Sequence, residues 1–125
     1  GAALAEALQA NAKTKLCKLW LDDTGLGPLA GASFAALLRT NRSLEVLNPS
    51  ENPQLGDAAG AALAEALQAN AKTKLCKLWL DDTGLGPLAG ASFAALLRTN
   101  RSLEVLNPSE NPQLGDAAGA ALAEA

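Results

Sequence analysis

The chain consists of one segment written twice. Gly1 to Glu65 recurs without a substitution as Gly60 to Glu124, an offset of 59 residues, and the copy ends one residue later at Ala125. Natural tandem repeats diverge, because packing constrains only a few positions per unit and leaves the rest of the surface free to change. Perfect identity therefore indicates either copying by design or a very recent duplication. It also predicts a repeat architecture in which each unit packs mainly on its neighbours.

The repeat sets the domain organisation. We expect a single solenoid over residues 1–125, with repeat units at 1–59 and 60–118 and a partial third copy at 119–125. Solenoids usually finish in polar caps, whereas this chain begins and ends inside equivalent helical segments. The sequence therefore predicts that the chain associates with itself through uncapped ends, or is cut from a longer identical array. Residues 119–125 should be poorly ordered unless a neighbour covers them.

Composition excludes several classes of protein. The net charge is −3, from 13 acidic and 10 basic side chains, so no tight binding to nucleic acid is expected. The longest apolar run, Pro28 to Leu38, is shorter than the roughly 18 residues that a membrane span needs. There is no histidine, and no secretory signal opens the chain. These features predict a cytoplasmic protein if the chain is natural, and recombinant production if it is designed.

Each copy contains two shorter units, whose openings at Leu16 and Leu44 lie 28 residues apart. Each opening reads as a strand and is followed by a stretch with helical spacing of its apolar residues. Pro28 suits the first turn of one helix, and Asp57 suits the N-cap of the next. The chain thus reads as a helix followed by four strand–helix units. The predicted strands are 16–21, 44–48, 75–80 and 103–107, and the predicted helices of the first copy are Pro28–Asn41 and Asp57–Ala71.

The first unit resembles a leucine-rich repeat of the longer kind found in ribonuclease inhibitor and NOD-like receptors. The family pattern L-x-x-L-x-L-x-x-(N/C)-x-L is met at Leu16, Leu19, Leu21 and Leu26, and Thr24 stands at the Asn/Cys position. The resemblance implies an α/β fold, a curved solenoid with parallel strands on its concave side and helices on its convex side.

The second unit departs from the pattern. Leu44, Leu47 and Asn52 fit, but Pro49 replaces a leucine and Leu55 comes one residue late. Proline has no backbone N–H to donate to the ladder, so we expect the second strand to end near residue 48.

Alternation along the strands predicts the same architecture without the family. Leu19 and Leu21 alternate with Lys18, Trp20 and Asp22, so one sheet face is buried and the other meets solvent. Helices are about 10 Å wide and strands lie about 4.8 Å apart, so a sheet with helices on one side must curve.

The solvent face of the sheet is the candidate binding site. Exposed tryptophan is not readily explained by stability, because large aromatic side chains are enriched at binding hot spots. The alternative is that both tryptophans are inherited from a parent repeat or shield a flat sheet. The candidate concave-face residues are Lys18, Trp20, Asp22, Val46 and Asn48, with Lys77, Trp79, Asp81, Val105 and Asn107, and Ser50 and Ser109 extend the rows.

A glycine motif offers a different interpretation. Gly25 to Ala30 satisfies G-x-G-x-x-(G/A) between a strand and a helix, with Glu51 after the next strand, as in dinucleotide-binding sites. The three residues between the strand and Gly25 spoil the tight turn that this fingerprint requires. In a repeat the glycines serve to turn the chain from strand to helix, so a nucleotide-binding enzyme is a distant alternative.

Other candidate chemistry is sparse. The pairs Asp22–Asp23 and Asp81–Asp82 read as solvated loop charges, and the lack of histidine excludes Ser/His and Cys/His catalysis. Cys17 and Cys76 occupy one repeat position, which favours reduced thiols over a disulfide framework. Basic side chains gather where strands begin and acidic ones where helices begin, an arrangement that favours the helix dipoles. Asn41 and Asn100 lie in glycosylation sequons that read as turns.

The sequence therefore predicts a non-catalytic repeat scaffold, of designed origin and without a natural ligand. The alternative is a fragment of a natural leucine-rich-repeat receptor or inhibitor that binds a protein on its concave face. No catalytic residue, cofactor or metal is expected. The expected partners are the chain itself, through its uncapped ends, or a protein on the concave face.

Overall fold

The computed structural model describes residues 16–115 of the chain. Short strands alternate with helices in this part, which confirms the predicted succession of strand–helix units. The predicted first helix and the partial copy at 119–125 lie outside the described residues. The elements are β1 (Lys18–Trp20), α1 (Pro28–Leu38), β2 (Val46–Asn48), α2 (Asp57–Ala69), β3 (Lys77–Trp79), α3 (Pro87–Thr99) and β4 (Val105–Asn107).

The strands form one parallel sheet in the order β1-β2-β3-β4, so each helix connects two neighbouring strands. Leu19, Leu47 and Leu78 are in register and face the helices. Leu78, in an inner strand, is 0% exposed. The predicted phase of the strands is therefore confirmed. The fold is an α/β leucine-rich-repeat-like solenoid, whose strands line the concave side.

The strands are shorter than the sequence predicted, although backbone hydrogen bonds continue past them. The Val46 N–H donates to the Cys17 carbonyl at 3.0 Å, and the Leu21 N–H donates to the Asn48 carbonyl at 2.8 Å. Strand β2 ends at Asn48, as predicted from Pro49, which has no N–H to donate. Regular strand geometry is therefore limited to fewer residues than predicted, although backbone hydrogen bonds still join the neighbouring segments beyond the strand ends.

Helices α1 and α2 begin where the sequence predicted and end three and two residues earlier than predicted, respectively. Pro28 occupies the first turn of α1, where its missing N–H costs nothing. The chain leaves the helix after Leu38, yet the Asn41 N–H still donates to the Leu37 carbonyl at 3.0 Å. The helical pattern of the sequence continues into this final turn, which explains why the predicted helices are too long.

Glycines allow the helices to pack closely. A Cβ atom at Gly31 would lie 2.5 Å from the Cβ of Ala59, and one at Gly60 would lie 2.3 Å from the Cδ2 of Leu85. Gly31 faces another Cβ atom and therefore requires the smallest residue, whereas a Cβ at Gly60 would require the buried Leu85 side chain to shift. Close approach of the helices lets their spacing follow that of the strands, because strands are only about 4.8 Å apart.

Two buried asparagines join neighbouring units. The Oδ1 atom of Asn52 accepts hydrogen bonds from the backbone N–H groups of Thr24 (3.1 Å) and Leu26 (2.8 Å). Its Nδ2 group donates to three backbone carbonyls, among them that of Leu21 at 2.9 Å. Asn111 repeats this network in the next pair of units. The Asn/Cys position of the repeat pattern therefore satisfies buried backbone groups, which would otherwise be costly.

Asp57 does not have the role that the sequence predicted. The N-cap of α2 is Gly56, with φ 95°, and Asp57 is the first helical residue. The carboxylate of Asp57 instead caps α3, where Oδ1 accepts from the N–H groups of Gly86 (2.9 Å) and Ala89 (2.7 Å). Oδ2 accepts from the Leu88 N–H at 3.2 Å. Sequence reasoning placed the cap on its own helix because it considers only adjacent residues.

The predicted helix-dipole pattern holds only in part. Among the described helices, Asp57 is the acidic residue in a first turn and Arg98 is the basic residue in a last turn. Of the other charges in this pattern, Lys18 lies in β1, Arg39 directly follows α1, and Asp22, Asp23 and Glu51 lie in the connecting loops. Dipole compensation therefore accounts for these two residues and not for the whole charge pattern.

Candidate functional site

The sheet face opposite the helices carries rows of side chains that cross the strands. Lys18, Val46, Lys77 and Val105 are in register and form the first row. The second row, two residues further along each strand, holds Trp20, Asn48, Trp79 and Asn107. We call this surface, together with the exposed or half-exposed Asp22 and Asp81 that follow the strands, the concave face.

Aromatic side chains on this face are unequally covered. Trp20 lies in β1, at the edge of the described sheet, and is 57% exposed. Trp79 lies in β3 between two strands and is half-buried. The indole Nε1 of Trp79 is enclosed and has no hydrogen-bond acceptor among the described residues. Burying an N–H donor without an acceptor costs free energy. A hydrogen bond of the indole therefore does not explain why Trp79 packs here.

Charged residues flank the tryptophan row on both sides. Lys18 and Lys77 are exposed on the side where the strands begin. Asp22 is exposed and Asp81 half-buried on the side where the strands end. The concave face therefore carries positive charge along one margin and negative charge along the other, with an aromatic row between them.

Two of the predicted face residues offer little surface. Val46 is only 6% exposed and lies in register between Lys18 and Lys77 of the two neighbouring strands. Ser50 is also buried, with its hydroxyl donating to the Oδ1 atom of Asn48 at 2.5 Å. The expectation that Val46 and Ser50 are exposed on this face is therefore wrong, and a contact of either residue with a partner stays a prediction.

Asn48 keeps one polar group for solvent. Its Oδ1 atom accepts from the N–H of Ser50 at 3.1 Å as well as from the hydroxyl, which closes a turn after β2. Its Nδ2 group donates to no described residue. Asn107 and Ser109 form the same turn after β4. The sequence placed both asparagines on this face, and the structure adds that their amide nitrogens remain available as donors.

Acidic loop residues adopt an unusual backbone conformation. Asp23, Glu51, Asp82 and Glu110 all have φ between 52° and 59°, in the left-handed region that most L-residues avoid. Each follows a strand at the same place in its unit. Within residues 16–115 no group of three His, Cys, Asp or Glu side chains is placed to hold a metal ion. Of the aspartate pairs that the sequence assigned to solvated loops, Asp22 and Asp23 are exposed, whereas Asp81 and Asp82 are half-buried.

Packing between units explains the glycine motif of the second copy. A Cβ atom at Gly84 would lie 2.6 Å from the Pro53 carbonyl oxygen, and Gly84 has φ 71°. The start of α3, where a pyrophosphate would bind, is occupied by the Asp57 carboxylate on the N–H groups of Gly86 and Ala89. A phosphate has no free backbone donors at this helix start, which argues against a dinucleotide site there.

The cysteines are separated by a strand. The Glu45 N–H donates to the Cys17 carbonyl at 2.6 Å, and the Cys76 N–H donates to the Glu45 carbonyl at 2.8 Å. Two strand spacings amount to about 10 Å, whereas a disulfide needs Cα atoms within about 7 Å. The two thiols therefore cannot pair with each other, in agreement with the sequence-based expectation.

A cavity of about 430 Å³, lined by both polar and apolar side chains, lies at the C-terminal ends of α2 and α3. Between α1 and α2 the Nδ2 group of Asn70 bridges back to the carbonyls of Leu38 (2.9 Å) and Asn41 (2.8 Å). Between α2 and α3, Asn100 instead accepts from Ser102 and the following N–H within its own turn. At this cavity the contact between α2 and α3 thus differs from the contact between α1 and α2. The sequence did not predict the cavity. Asn41 makes the same local turn as Asn100, as predicted for both sequons.

The sequence of the chain is similar to parts of known proteins. No protein-family model matches the chain. Ribonuclease inhibitor of Mus musculus is 36% identical over 97 residues, which cover 78% of this chain and 21% of that protein. NACHT, LRR and PYD domains-containing protein 12 of Mus musculus is 35% identical over 102 residues, 82% of this chain and 9% of that protein. The chain therefore spans only a small part of these relatives.

The solved structures show the same fold. Leiomodin-1 Actin-Binding Site 2 superposes with a TM-score of 0.82 over 96% of this chain and 68% of that chain, at 16% identity. Such low identity supports the fold alone. No helix within residues 16–115 combines the length and apolarity needed to cross a membrane. The sequence matches, the parallel sheet, the buried asparagines and the structural superposition together identify the described units as leucine-rich repeats. They are of the type found in ribonuclease inhibitor and in NACHT, LRR and PYD domains-containing proteins.

Proposed function

We propose that the chain is a non-catalytic repeat scaffold whose concave face binds protein. The observation that carries this proposal is Trp20, a large aromatic side chain that is 57% exposed on an ordered sheet. Trp79 lies two strands away on the same face, and charged side chains flank both. Aromatic anchors surrounded by polar groups are typical of protein-binding hot spots. The name of one relative, ribonuclease inhibitor, describes a protein that acts on another protein.

A selection experiment tests this proposal. A random peptide library is panned against the chain, and selected peptides are titrated against Trp20→Ala, Trp79→Ala and a convex-side control, Leu29→Ala. Leu29 is as apolar and more exposed, at 76%, but lies on helix α1. Peptides that lose affinity with the tryptophan variants and not with the control support the proposal. Peptides that bind only through Leu29, or a library that yields no binder, contradict it.

A second candidate function is head-to-tail assembly of the chain with itself. Leu103, Leu106 and Leu114, near the last described strand, are only partly buried, whereas Leu44 and Leu47, at the corresponding places of the first copy, are almost fully covered. The difference reflects the neighbouring unit that packs on β2. A further copy of the chain carries the same β3-type sequence in its own β1, so the internal junction between β2 and β3 provides a template for such a contact.

Light scattering after size exclusion tests the assembly. We expect a mass that rises with concentration above the 12.7 kDa of one chain, and a Leu106→Glu variant that weakens this rise. Leu106 is a suitable position because it lies in β4 and is only half-buried. A mass of 12.7 kDa at every concentration excludes the assembly but leaves the concave-face proposal intact.

We further propose that the identical copies arose by design. The support is the perfect identity over Gly1 to Glu65, including surface positions that packing does not constrain. Sequencing the gene that encodes the chain tests this origin. Diverged repeats on either side of the segment would contradict it and would favour a fragment of a natural receptor or inhibitor.

A further inference from the structure

We propose that the concave face takes a polyproline-II segment with a three-residue period, in which every third residue packs on a tryptophan and the two residues between carry opposite charges. This inference rests on the proposed function, because it assumes that the concave face binds protein. It adds the conformation and the charge pattern of the partner, which follow from the spacing of the rows on this face.

Spacing along the solenoid selects the conformation. Trp20 and Trp79 belong to strands separated by one other strand, which places them about 10 Å apart at about 4.8 Å per strand. A polyproline-II helix rises about 3.1 Å per residue and has three residues per turn, so residues i and i+3 lie on one side about 9.3 Å apart. A peptide in β conformation covers a similar distance in three residues but presents i and i+3 on opposite sides. An extended partner that contacts both indoles must therefore have the polyproline-II period.

Asn48 distinguishes this partner from a helical one. An α-helix also returns to the same side after seven residues, about 10.5 Å, so distance alone does not exclude it. Asn48 lies between the two tryptophans in the row, and its Nδ2 group donates to no described residue. A polyproline-II backbone has no internal hydrogen bonds and offers a carbonyl between two contacts, whereas helix carbonyls are already bonded within the helix. The available amide therefore matches the extended partner.

The charges on the two margins define the other two positions of each triplet. Around a polyproline-II axis successive residues are about 120° apart, so when residue i faces the sheet, residues i+1 and i+2 lean toward opposite margins. One margin carries Lys18 and Lys77 and the other carries Asp22 and Asp81, again with a period of two strands. The matching triplet has proline or another apolar residue on the indole, an acidic residue on the lysine side and a basic residue on the aspartate side.

This geometry predicts how the chain direction of the bound peptide affects its affinity. Turning the peptide end for end exchanges the margins that i+1 and i+2 face. A Pro-Glu-Lys repeat and a Pro-Lys-Glu repeat should therefore both bind, each in one chain direction and opposite to the other. Repeats of Pro-Glu-Glu or Pro-Lys-Lys place a like charge at one margin in either direction and should bind more weakly.

Titration with synthetic peptides tests the inference. Peptides of about five triplets, long enough to cover both indoles, are titrated against the full chain by tryptophan fluorescence and by calorimetry. The Pro-Glu-Lys and Pro-Lys-Glu repeats should bind with similar affinity, at least about fivefold tighter than a peptide of the same composition with irregular proline spacing. Trp20→Ala should remove most of this advantage, and Leu29→Ala, on the convex side, should leave it unchanged.

Several results would overturn the inference. Equal binding of the regular and irregular peptides shows that the period is not recognised. Equal binding of a helical peptide with apolar residues every seven positions shows that conformation is not selected. Absence of saturation by any triplet peptide also overturns it. When library-selected peptides still depend on Trp20 and Trp79 in that case, the proposed function stands and only the polyproline-II inference falls; when they do not, both fall.

Discussion

The carboxylate of Asp57 lies across the start of helix α3, with its Oδ1 atom 2.7 Å from the backbone nitrogen of Ala89, a residue 32 positions further along the chain. The first four N–H groups of a helix have no partner within it, and an acidic side chain at this end also opposes the helix dipole favourably. One side chain therefore joins two units and stabilises a helix whose own N-cap residue, Gly86, provides no side-chain hydrogen bond.

Replacing Asp57 tests this contact between units. Asp57→Ala should lower the free energy of unfolding by about 1 to 2 kcal/mol, since both a cap and a charge at the helix start are lost. Asp57→Asn retains the acceptor oxygen and should lose less. Urea denaturation measures the effect, with Asp22→Ala as the control because Asp22 is an exposed carboxylate. Equal stability of the two alanine variants would contradict the assigned role.

Removing a leucine from the sheet should cost more than removing a tryptophan. Leu78→Ala should destabilise the chain by about 2 to 5 kcal/mol, because the side chain is fully buried. Trp20→Ala should cost less than about 1 kcal/mol, since most of the ring is already in contact with solvent. Thermal and urea unfolding of the two variants provide the comparison. A larger loss for Trp20→Ala shows that the ring belongs to the core and not to an interaction face.

Asn52 should be among the most sensitive polar residues. Asn52→Ala removes five hydrogen bonds to backbone groups of two units, and several of those groups are buried. Unsatisfied buried groups cost about 1 to 3 kcal/mol each, so we expect a loss of at least about 3 kcal/mol. Asn48→Ala serves as the control, because Asn48 is half-exposed and bonds only within its own turn. The idea fails if chemical denaturation shows the same stability for the two variants.

Glycines of the G-x-G motif should respond differently to alanine. Gly84→Ala meets the Pro53 carbonyl oxygen at 2.6 Å and must adopt φ 71°, so the expected cost is about 2 to 4 kcal/mol. Gly27→Ala meets no atom within 4 Å and has φ −114°, so it should be tolerated within about 1 kcal/mol. Circular dichroism melting curves compare the two. Equal sensitivity would show that the motif has a role beyond strand-to-helix turns.

Local patterns were sufficient to predict where the strands lie and which leucines face the helices, but not the bounds of the strands. Leu19 alternates with Lys18 and Trp20, and a period of two residues directly separates a buried from an exposed face. Pro49 likewise predicted the end of β2, because a missing N–H is a property of one residue. Such features depend on neighbours in the sequence, and they were correctly assigned.

Contacts between units could not be predicted in this way. Asp57 was assigned to its own helix because its true partner, Ala89, lies in the next unit. Val46 is buried between two neighbouring strands, and Asn70 reaches back to the preceding helix whereas Asn100 bonds within its own turn. These contacts depend on which side chains of neighbouring units meet in space, and a single sequence does not show which residues those are.

Oxidative footprinting of the chain with a library-selected peptide bound tests the central claim most directly. Mass spectrometry follows oxidation of Trp20 and Trp79 on the concave face, and of Leu29 and Leu88 on the helices, which are exposed at 76% and 54%. A concave-face binding site predicts that the peptide protects both tryptophans and leaves both leucines as reactive as in the free chain. Protection of the leucines with unchanged oxidation of the tryptophans would contradict it.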